Sequence, residues 1–166
     1  MPEAITLERA RRDKEQGKSP STQAGEFVRE EMDHIREGKH GARNTKQAIA
    51  IGLSKARRAG VQLGAPKIGK ASSRTRKQAQ RDLAKGHRRS RTVSTRRSQA
   101  TEKALKREPR SAASRSALSK QAKQAATRRS SASRSQAAKK AARTKGPAVR
   151  RHAAQKAAET RQRRAA

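Results

Sequence analysis

Large apolar side chains become scarce in this chain after residue 64. The 102 residues from 65 to 166 contain only six of them: Ile68, Leu83, Val93, Leu105, Leu118 and Val149. Folding must offset about 1–2 kcal/mol of backbone entropy per ordered residue, and burial of apolar surface is the main compensation. Since six scattered side chains cannot provide it, the sequence predicts that this region has no hydrophobic core.

The charge changes at the same place. Residues 1–37 hold nine acidic and seven basic residues, whereas residues 65–166 hold 32 Lys and Arg against four acids, out of a formal net charge of +32. High net charge with few apolar residues is typical of disorder. We therefore predict a mainly α protein in three parts: an amino-terminal helix at 1–18, a helical hairpin domain at 19–64, and a long, largely disordered, low-complexity basic tail at 65–166.

Two amphipathic patterns predict the hairpin, alone or as a three-helix unit with residues 1–18. The first helix is expected to begin at Ser19-Pro20, with Ser as the cap and Pro at the first helical position. A stripe with helical spacing follows, made of Ala24, Phe27, Val28, Met32 and Ile35. Glu31 lies inside this stripe, so we expect it to pair with a cation on the neighbouring helix.

The second helix is expected to begin at Asn44 or Thr45, because Asn44 with Gln47 resembles a capping box. Gly52 lies on its apolar face, which indicates either a close approach of the two helices or a tolerated glycine costing about 1 kcal/mol. Gly60 is expected to end the helix. Ile51 projects from the opposite side and needs a cover, either the amino-terminal helix or a second protomer in a homodimer.

The stretch EEMDHIREGKHGARNTKQAIAIGLSKARRAGV, and within it KQAIAIGLS, resembles a family of small basic bacterial proteins of unknown function. Some members are described as DNA-binding or plasmid-stabilisation-like. The resemblance covers residues 26–63 and implies two helices joined by a Gly/Lys-rich loop, with no activity to carry over. The tail is separately similar in composition to linker-histone carboxy-terminal domains and to the Lys/Ala-rich extensions of some bacterial histone-like proteins.

The tail predicts a mode of binding. Duplex DNA carries about one negative charge per 1.7 Å and releases counterions when cations bind its phosphates. Such contacts do not report base identity. We therefore expect sequence-nonspecific DNA binding and compaction by a cytoplasmic, nucleoid-associated, histone-like protein. Because Ala, Gln, Lys and Arg favour helices, we expect the Ala-rich segments to become helical on binding, with breaks at Pro109 and at Gly146-Pro147.

The expected nucleic-acid contacts form two groups. A helix amino terminus presents free N–H groups to phosphate, so the first group lies at the two ends of the second hairpin helix: Lys39, His40, Arg43, Lys46, Arg57 and Arg58. The second group is the clustered cations of the tail: Arg74, Arg76, Lys77, Arg88, Arg89, Arg91, Arg96, Arg97, Arg128, Arg129, Lys139, Lys140, Arg143, Arg150, Arg151, Arg163 and Arg164. There are alternatives to nucleic-acid contact at these residues. The stretch 39–44 can be a solvated turn, and Arg57 and Arg58 can serve only to complement the dipole at the helix end.

Other functions find little support in the sequence. There is no Cys and no run of 18 apolar residues, so disulfides and membrane insertion are not expected. The four histidines, His34, His40, His87 and His152, show no metal-ligand or catalytic spacing, and no Walker-type loop is present. We expect no enzyme activity, no cofactor and no metal. RNA binding, and a protein–protein adaptor held on nucleic acid by its tail, stay open as alternatives.

Overall fold

The computed structural model describes residues 2–86 and 94–165, and these residues form helices but no strand. The mainly α fold is thus confirmed. The α-helices are α1 (Ala4–Glu15), α2 (Pro20–Glu37), α3 (Thr45–Arg58), α4 (Ser73–Gly86), α5 (Thr95–Lys106), α6 (Arg115–Thr127) and α7 (Ser131–Ala165), with a 3₁₀ helix at Arg110–Ala113. The chain divides into two compact units, called here the first unit (Met1–Gln121) and the second unit (Ala122–Ala166).

The predicted hairpin is formed by α2 and α3, and α1 packs against α2. Phe27 and Ile35 of α2 are almost completely buried, as the stripe predicted. Gly52 of α3 faces Val28 so closely that a Cβ atom at residue 52 would lie 2.7 Å from the Val28 Cα atom. The glycine therefore permits a close helix approach, which decides between the two interpretations of this position.

The helix ends follow local sequence signals. The Asn44 side chain accepts a hydrogen bond from the Gln47 N–H at 2.9 Å, and Gln47 Oε1 accepts one from the Arg43 N–H at 3.0 Å. The predicted capping interaction is thus present, although its return bond reaches Arg43 instead of Asn44. Ser19 is the N-cap residue of α2, but its side chain makes no capping bond to the backbone. Gly38 ends α2 with a φ of 82°, a conformation that favours glycine.

The body of the first unit continues past residue 64, where the sequence predicted a boundary. Ala79 and Asp82 of α4 are buried, and α4 packs on α3. Ala112 and Ala113 of the 3₁₀ helix are also buried, against α2 and α3. The prediction considered only large apolar side chains, whereas this core is built largely from alanines.

Two clusters form that core. The first contains Met32, Ile35, Ala42, Ala48, Ala112 and Ala113, and the second contains Ala10, Ala24, Phe27, Ala56 and Val61. Alanine allows helix backbones to approach closely, which leaves little space between them. A few large side chains are then enough to fill it. The close packing of small residues explains how a chain so poor in apolar residues forms a body.

The second unit contains the end of α6 and the whole of α7, the longest helix of the described residues. No residue of α7 is recorded as buried among those the structure describes. Gly146, with φ 68° and ψ 170°, interrupts the helix just before Pro147, and α5 ends at Lys106 before Pro109. Both predicted breaks are therefore present. The expected disorder of the tail is not supported, since its described residues are largely helical, in keeping with their helix propensity.

Candidate nucleic-acid interface

The acidic residues of the first unit are mostly paired inside it. Lys55 Nζ lies 2.7 Å from Glu31 Oε2, which confirms the predicted pairing of Glu31 with a cation of the neighbouring helix. Further pairs are Lys18–Asp13, Arg36–Asp33, Arg11–Glu15, Arg12–Glu8 and Lys106–Glu102. Because these acids are already matched, the positive charge in excess lies on other exposed side chains.

The loop 39–44, predicted as a phosphate site, is largely engaged by the protein itself. Lys39 Nζ lies 3.0 Å from Glu37 Oε2 and 3.1 Å from Glu3 Oε1. The hydrogen bond to Glu37, and to a smaller extent the one to Glu3, raises the pKa of Lys39. The N–H groups of Gly41 and Ala42 donate to the carbonyls of Leu105 and Pro109, at 2.9 and 3.1 Å. The two N–H groups are therefore already bonded within the protein, while the half-exposed Lys39 is paired with acids at the surface.

Gly41 shows why the loop is closed. A Cβ atom at this position would collide with the carbonyl of Glu108, so only glycine lets the two backbones meet. His40 is mostly buried, and its Nε2 lies 3.2 Å from Glu31 Oε1. The predicted contact at His40 is thus turned towards the protein.

The far end of the same loop opens onto a cleft of about 310 Å³. Its lining combines two cations, several hydroxyls and the start of two helices: Arg43, Asn44, Thr45, Ser111, Ala112, Ser114, Ser116, Ala117 and Lys120. Thr45 begins α3 and Ser114 precedes α6, whose Ala117 N–H donates to Ser114 Oγ at 3.2 Å. Helix amino termini beside Arg43 and Lys120 favour an anion. The sequence prediction included Arg43 but missed Lys120, which is 77 residues away and comes close only through the fold.

Arg57 has a structural role instead of the predicted contact with nucleic acid. It is 6% exposed, and its guanidinium donates to the carbonyl oxygens of Leu63, at 2.9 Å, and Gly64, at 3.4 Å. Burial lowers the pKa of Arg57, while nearby Asp82 acts in the opposite direction. Arg57 therefore holds the turn after α3 and is unavailable to DNA.

Arg58 and Ile51 lie on the side of α3 that α4 covers. The Ser54 hydroxyl donates to Asp82 Oδ2 at 2.5 Å, and Arg58 Nε lies 3.2 Å from Asp82 Oδ1. Ile51 is half-buried on this side. The sequence interpretation asked for α1 or a second protomer as its cover, but α4 of the same chain occupies this side. A homodimer through the hairpin therefore stays a prediction, for which Ile51 gives no specific support.

The outer face of α4 carries a basic stripe, defined by Arg74, Lys77, Arg81 and Lys85. All four are exposed, and their spacing of three or four residues places them on one side of the helix, over about 17 Å. Among the ion pairs of the described residues, α4 contributes only Asp82. Arg76, also predicted as a contact, is half-buried and lies off the stripe. Arg81 and Lys85 were missed because they stand alone in the sequence.

The remaining predicted contacts are exposed wherever the structure describes them. They are Lys46, Arg96, Arg97, Arg128, Arg129, Lys139, Lys140, Arg143, Arg150, Arg151, Arg163 and Arg164. Arg88, Arg89 and Arg91 lie outside the described residues. The helix α7 has cations on all its sides, so it presents no apolar face to another helix.

None of the helices in residues 2–86 and 94–165 is long and apolar enough to cross a bilayer. No protein-family model, curated protein or solved structure matches this chain. The resemblance of residues 26–63 to the small basic bacterial proteins therefore stays a prediction.

Proposed function

We propose that this chain is a sequence-nonspecific DNA-binding protein that neutralises the phosphate backbone and compacts DNA, in the manner of nucleoid-associated, histone-like proteins. The observation that carries the proposal is the composition and exposure of the second unit. It holds 14 Lys and Arg against a single acid, Glu159, and none of its residues is buried in the part that the structure describes. Cations without acidic partners and without a packing role are available to an external polyanion.

Binding follows from charge instead of shape. Each phosphate neutralised by Lys or Arg releases counterions, and the entropy of their release favours the complex. The helix α7 has cations on all sides, so it can meet phosphates in many orientations without reading bases. The α4 basic stripe adds four cations on one face of the first unit, and the cleft beside Arg43 and Lys120 adds a discrete site for one phosphate.

The scarcity of aromatic side chains supports duplex DNA over single strands as the partner. Proteins that bind single strands stack bases on aromatic side chains. Phe27 is the only aromatic residue of this chain, and it is 1% exposed in the core. Duplex RNA offers the same backbone charge, so RNA binding is the alternative that an experiment has to separate. The family resemblance and a nucleoid location belong to the same proposal.

Titration of a fluorescent duplex at several salt concentrations tests the proposal. If eight phosphates are contacted, log affinity is expected to fall with log salt with a slope of about −7. Duplex DNA of any sequence should compete equally, and single strands should compete poorly. A salt-independent affinity would contradict the proposal, and a strong preference for duplex RNA would favour the alternative.

A charge-matched pair of variants locates the contacts in the first unit. Changing Arg74, Lys77, Arg81 and Lys85 to Gln removes the α4 basic stripe, and four contacts correspond to about 3.6 units of slope. Changing Arg9, Arg11, Arg12 and Lys14 to Gln removes the same charge from α1, where Arg11 and Arg12 are paired with acids. If net charge alone mattered, both variants would weaken binding equally, whereas we expect the α4 variant to lose much more.

A further inference from the structure

Three side chains with metal-binding chemistry meet between the end of α2 and the following loop. Glu31 and His34 lie one turn apart on α2, and His40 follows the Gly38 turn. One ligand atom from each residue lies within 4.8 Å of the other two. These histidines look scattered in the sequence, because the turn that brings His40 back onto α2 is not visible in their spacing. The signal it missed is Glu31-x-x-His34, a pair that shares one helix face.

Glu31 is a buried carboxylate whose contacts are incomplete. Its side chain is 0% exposed, and neither oxygen accepts a well-aligned hydrogen bond from the described residues. Lys55 Nζ lies 2.7 Å from Oε2, so this oxygen has a cation beside it. Oε1 faces His40 instead, at 3.2 Å from Nε2. A buried carboxylate oxygen without a hydrogen-bond donor raises the free energy of the folded state. This indicates that a further positive partner belongs at Oε1.

The orientation of His40 points to the same place. Its Nδ1 lies 3.1 Å from the carbonyl oxygen of Gly41, which can only accept a hydrogen bond, so Nδ1 carries the proton. Nε2 is then the ring nitrogen that faces Glu31 Oε1, at 3.2 Å, which is the position of a second ligand atom beside the carboxylate. A metal-binding histidine usually donates its other ring N–H to a carbonyl or carboxylate, which fixes the orientation of the ring.

His34 is held in a comparable way. Its Nε2 lies 2.7 Å from Glu3 Oε1, and its ring stands edge-on to that of His40, with ring centroids 6.1 Å apart. Carboxylate–histidine pairs of this kind orient imidazoles at metal centres. Glu3 precedes α1, so the cluster lies where α1, α2 and the loop 39–44 meet.

We propose that Glu31, His34 and His40 form a binding site for one Zn²⁺ ion, a property beyond the proposed function. Two imidazoles and one carboxylate are a ligand set that zinc accepts, at about 2.0–2.2 Å from each atom. Tetrahedral ligand atoms at that distance from zinc are about 3.4 Å from one another. Side-chain movements of about 1 Å would bring the three observed ligand atoms to this spacing around an ion. The ion would fasten the loop 39–44 to α2 and stabilise the first unit, because metal binding adds to folding stability.

Titration of the full chain, freed of metal with a chelator, tests the site. Co²⁺ is a spectroscopic substitute, and Zn²⁺ competition reports the affinity. We expect one saturable ion per chain, visible absorption typical of a four-coordinate site, and a higher Tm with Zn²⁺. His34→Ala and His40→Ala should each weaken Zn²⁺ binding by more than about 100-fold, since the loss of a residue that only supports a ligand already costs about 10–100-fold. The control is His152→Ala, an exposed histidine of α7, which should bind like the unaltered chain.

Glu31→Gln separates ligation from mere folding. Since Glu31 is buried, circular dichroism must first show that the variant is folded, and His40→Asn is the substitute if it is not. Loss of the Co²⁺ spectrum in a folded variant supports the site. Absence of stoichiometric binding by the unaltered chain, or equal loss in His152→Ala, overturns it. DNA affinity, measured with and without Zn²⁺, is a separate readout of the proposed function, since DNA binding can persist when the zinc site is absent.

Discussion

The two units use the same amino acids differently. Alanine is abundant in both, but in the first unit Ala24, Ala42, Ala48, Ala56 and Ala113 are completely buried. The second unit has 15 alanines, and none is buried among its described residues. The difference lies in what accompanies them. Phe27, Met32 and Ile35 give the first unit a few large side chains around which alanine faces can close, and the second unit has no equivalent.

The two units also differ sharply in their number of acidic residues. Of the 13 Asp and Glu, 12 lie in the first unit and one in the second. Buried acids such as Glu31 and Asp82 join helices there by pairing with cations of a neighbouring helix. Cations lacking such partners repel one another and favour an external polyanion. The comparison shows that the first unit has acids available to pair with cations of neighbouring helices, whereas the cations of the second unit have a single acid, Glu159, among them.

Removal of α7 should have the largest effect. A chain ending at Ser130 lacks 11 cations of the second unit. If four phosphate contacts are lost, duplex affinity should fall about 10³-fold at 0.1 M salt, with about 3.6 units of slope. The melting transition of the first unit should not change. Fluorescence anisotropy and circular dichroism measure the two quantities.

A shuffled α7 is the matched control for this truncation. A chain carrying the residues 131–166 in random order keeps composition and charge, so binding by charge alone predicts unchanged affinity. If the truncated chain binds as tightly as the whole, the first unit carries the function and the comparison fails. If shuffling abolishes binding, α7 reads shape, and the nonspecific mechanism is wrong.

Local signals in the sequence were sufficient for the hairpin. The capping pair Asn44 and Gln47, the burial of the α2 stripe and the pairing of Glu31 with a cation of the neighbouring helix all follow from spacing within one or two helices. The break at Gly146 was equally local, because Gly and Pro restrict the backbone directly. Features of this kind depend on neighbours in the chain.

Long-range packing could not be predicted in the same way. Asp82 is one of four acids in a basic region, and only the fold shows that it joins Ser54, which precedes it by 28 residues. Lys120 reaches the cleft of Arg43, and His40 reaches Glu31, through turns whose geometry no spacing rule contains. The sequence thus identified the cations as a class, but not which of them the fold would use internally.

Asp82→Ala tests whether matched charge holds the first unit together. The change leaves Ser54 and Gln78 without their acceptor and Arg57 and Arg58 without a counter-charge. Loss of a buried partner costs about 1–3 kcal/mol, and the half-exposed Arg58 keeps the value below that of a fully buried pair. Urea unfolding measures it.

The control for Asp82 is an exposed pair. Glu102 pairs with Lys106 on the surface of α5, and hydrogen bonding from Lys106 lowers the pKa of Glu102. We expect Glu102→Ala to leave the free energy of unfolding nearly unchanged, because exposed pairs contribute little. Equal effects of the two variants would show that burial of the acid is not what joins α3 to α4.

The smallest expected effect concerns the close contact of α2 and α3, tested by Gly52→Ala against Gly25→Ala. A Cβ atom at residue 52 would lie 2.7 Å from the Val28 Cα atom and 3.0 Å from the Phe27 carbonyl oxygen, and backbone cannot move aside as a flexible side chain can. Overpacking costs about 1–3 kcal/mol, and the better helix propensity of alanine offsets about 1 kcal/mol, so a net loss of up to about 2 kcal/mol is expected. At Gly25 nothing lies within 4 Å, and the same change should stabilise the protein by about 0.5–1 kcal/mol. If the two variants change the free energy of unfolding in opposite directions in urea, close packing of small residues holds the first unit together. If both changes stabilise, the helices can separate at no cost, and the packing difference between the two units is smaller than the structure indicates.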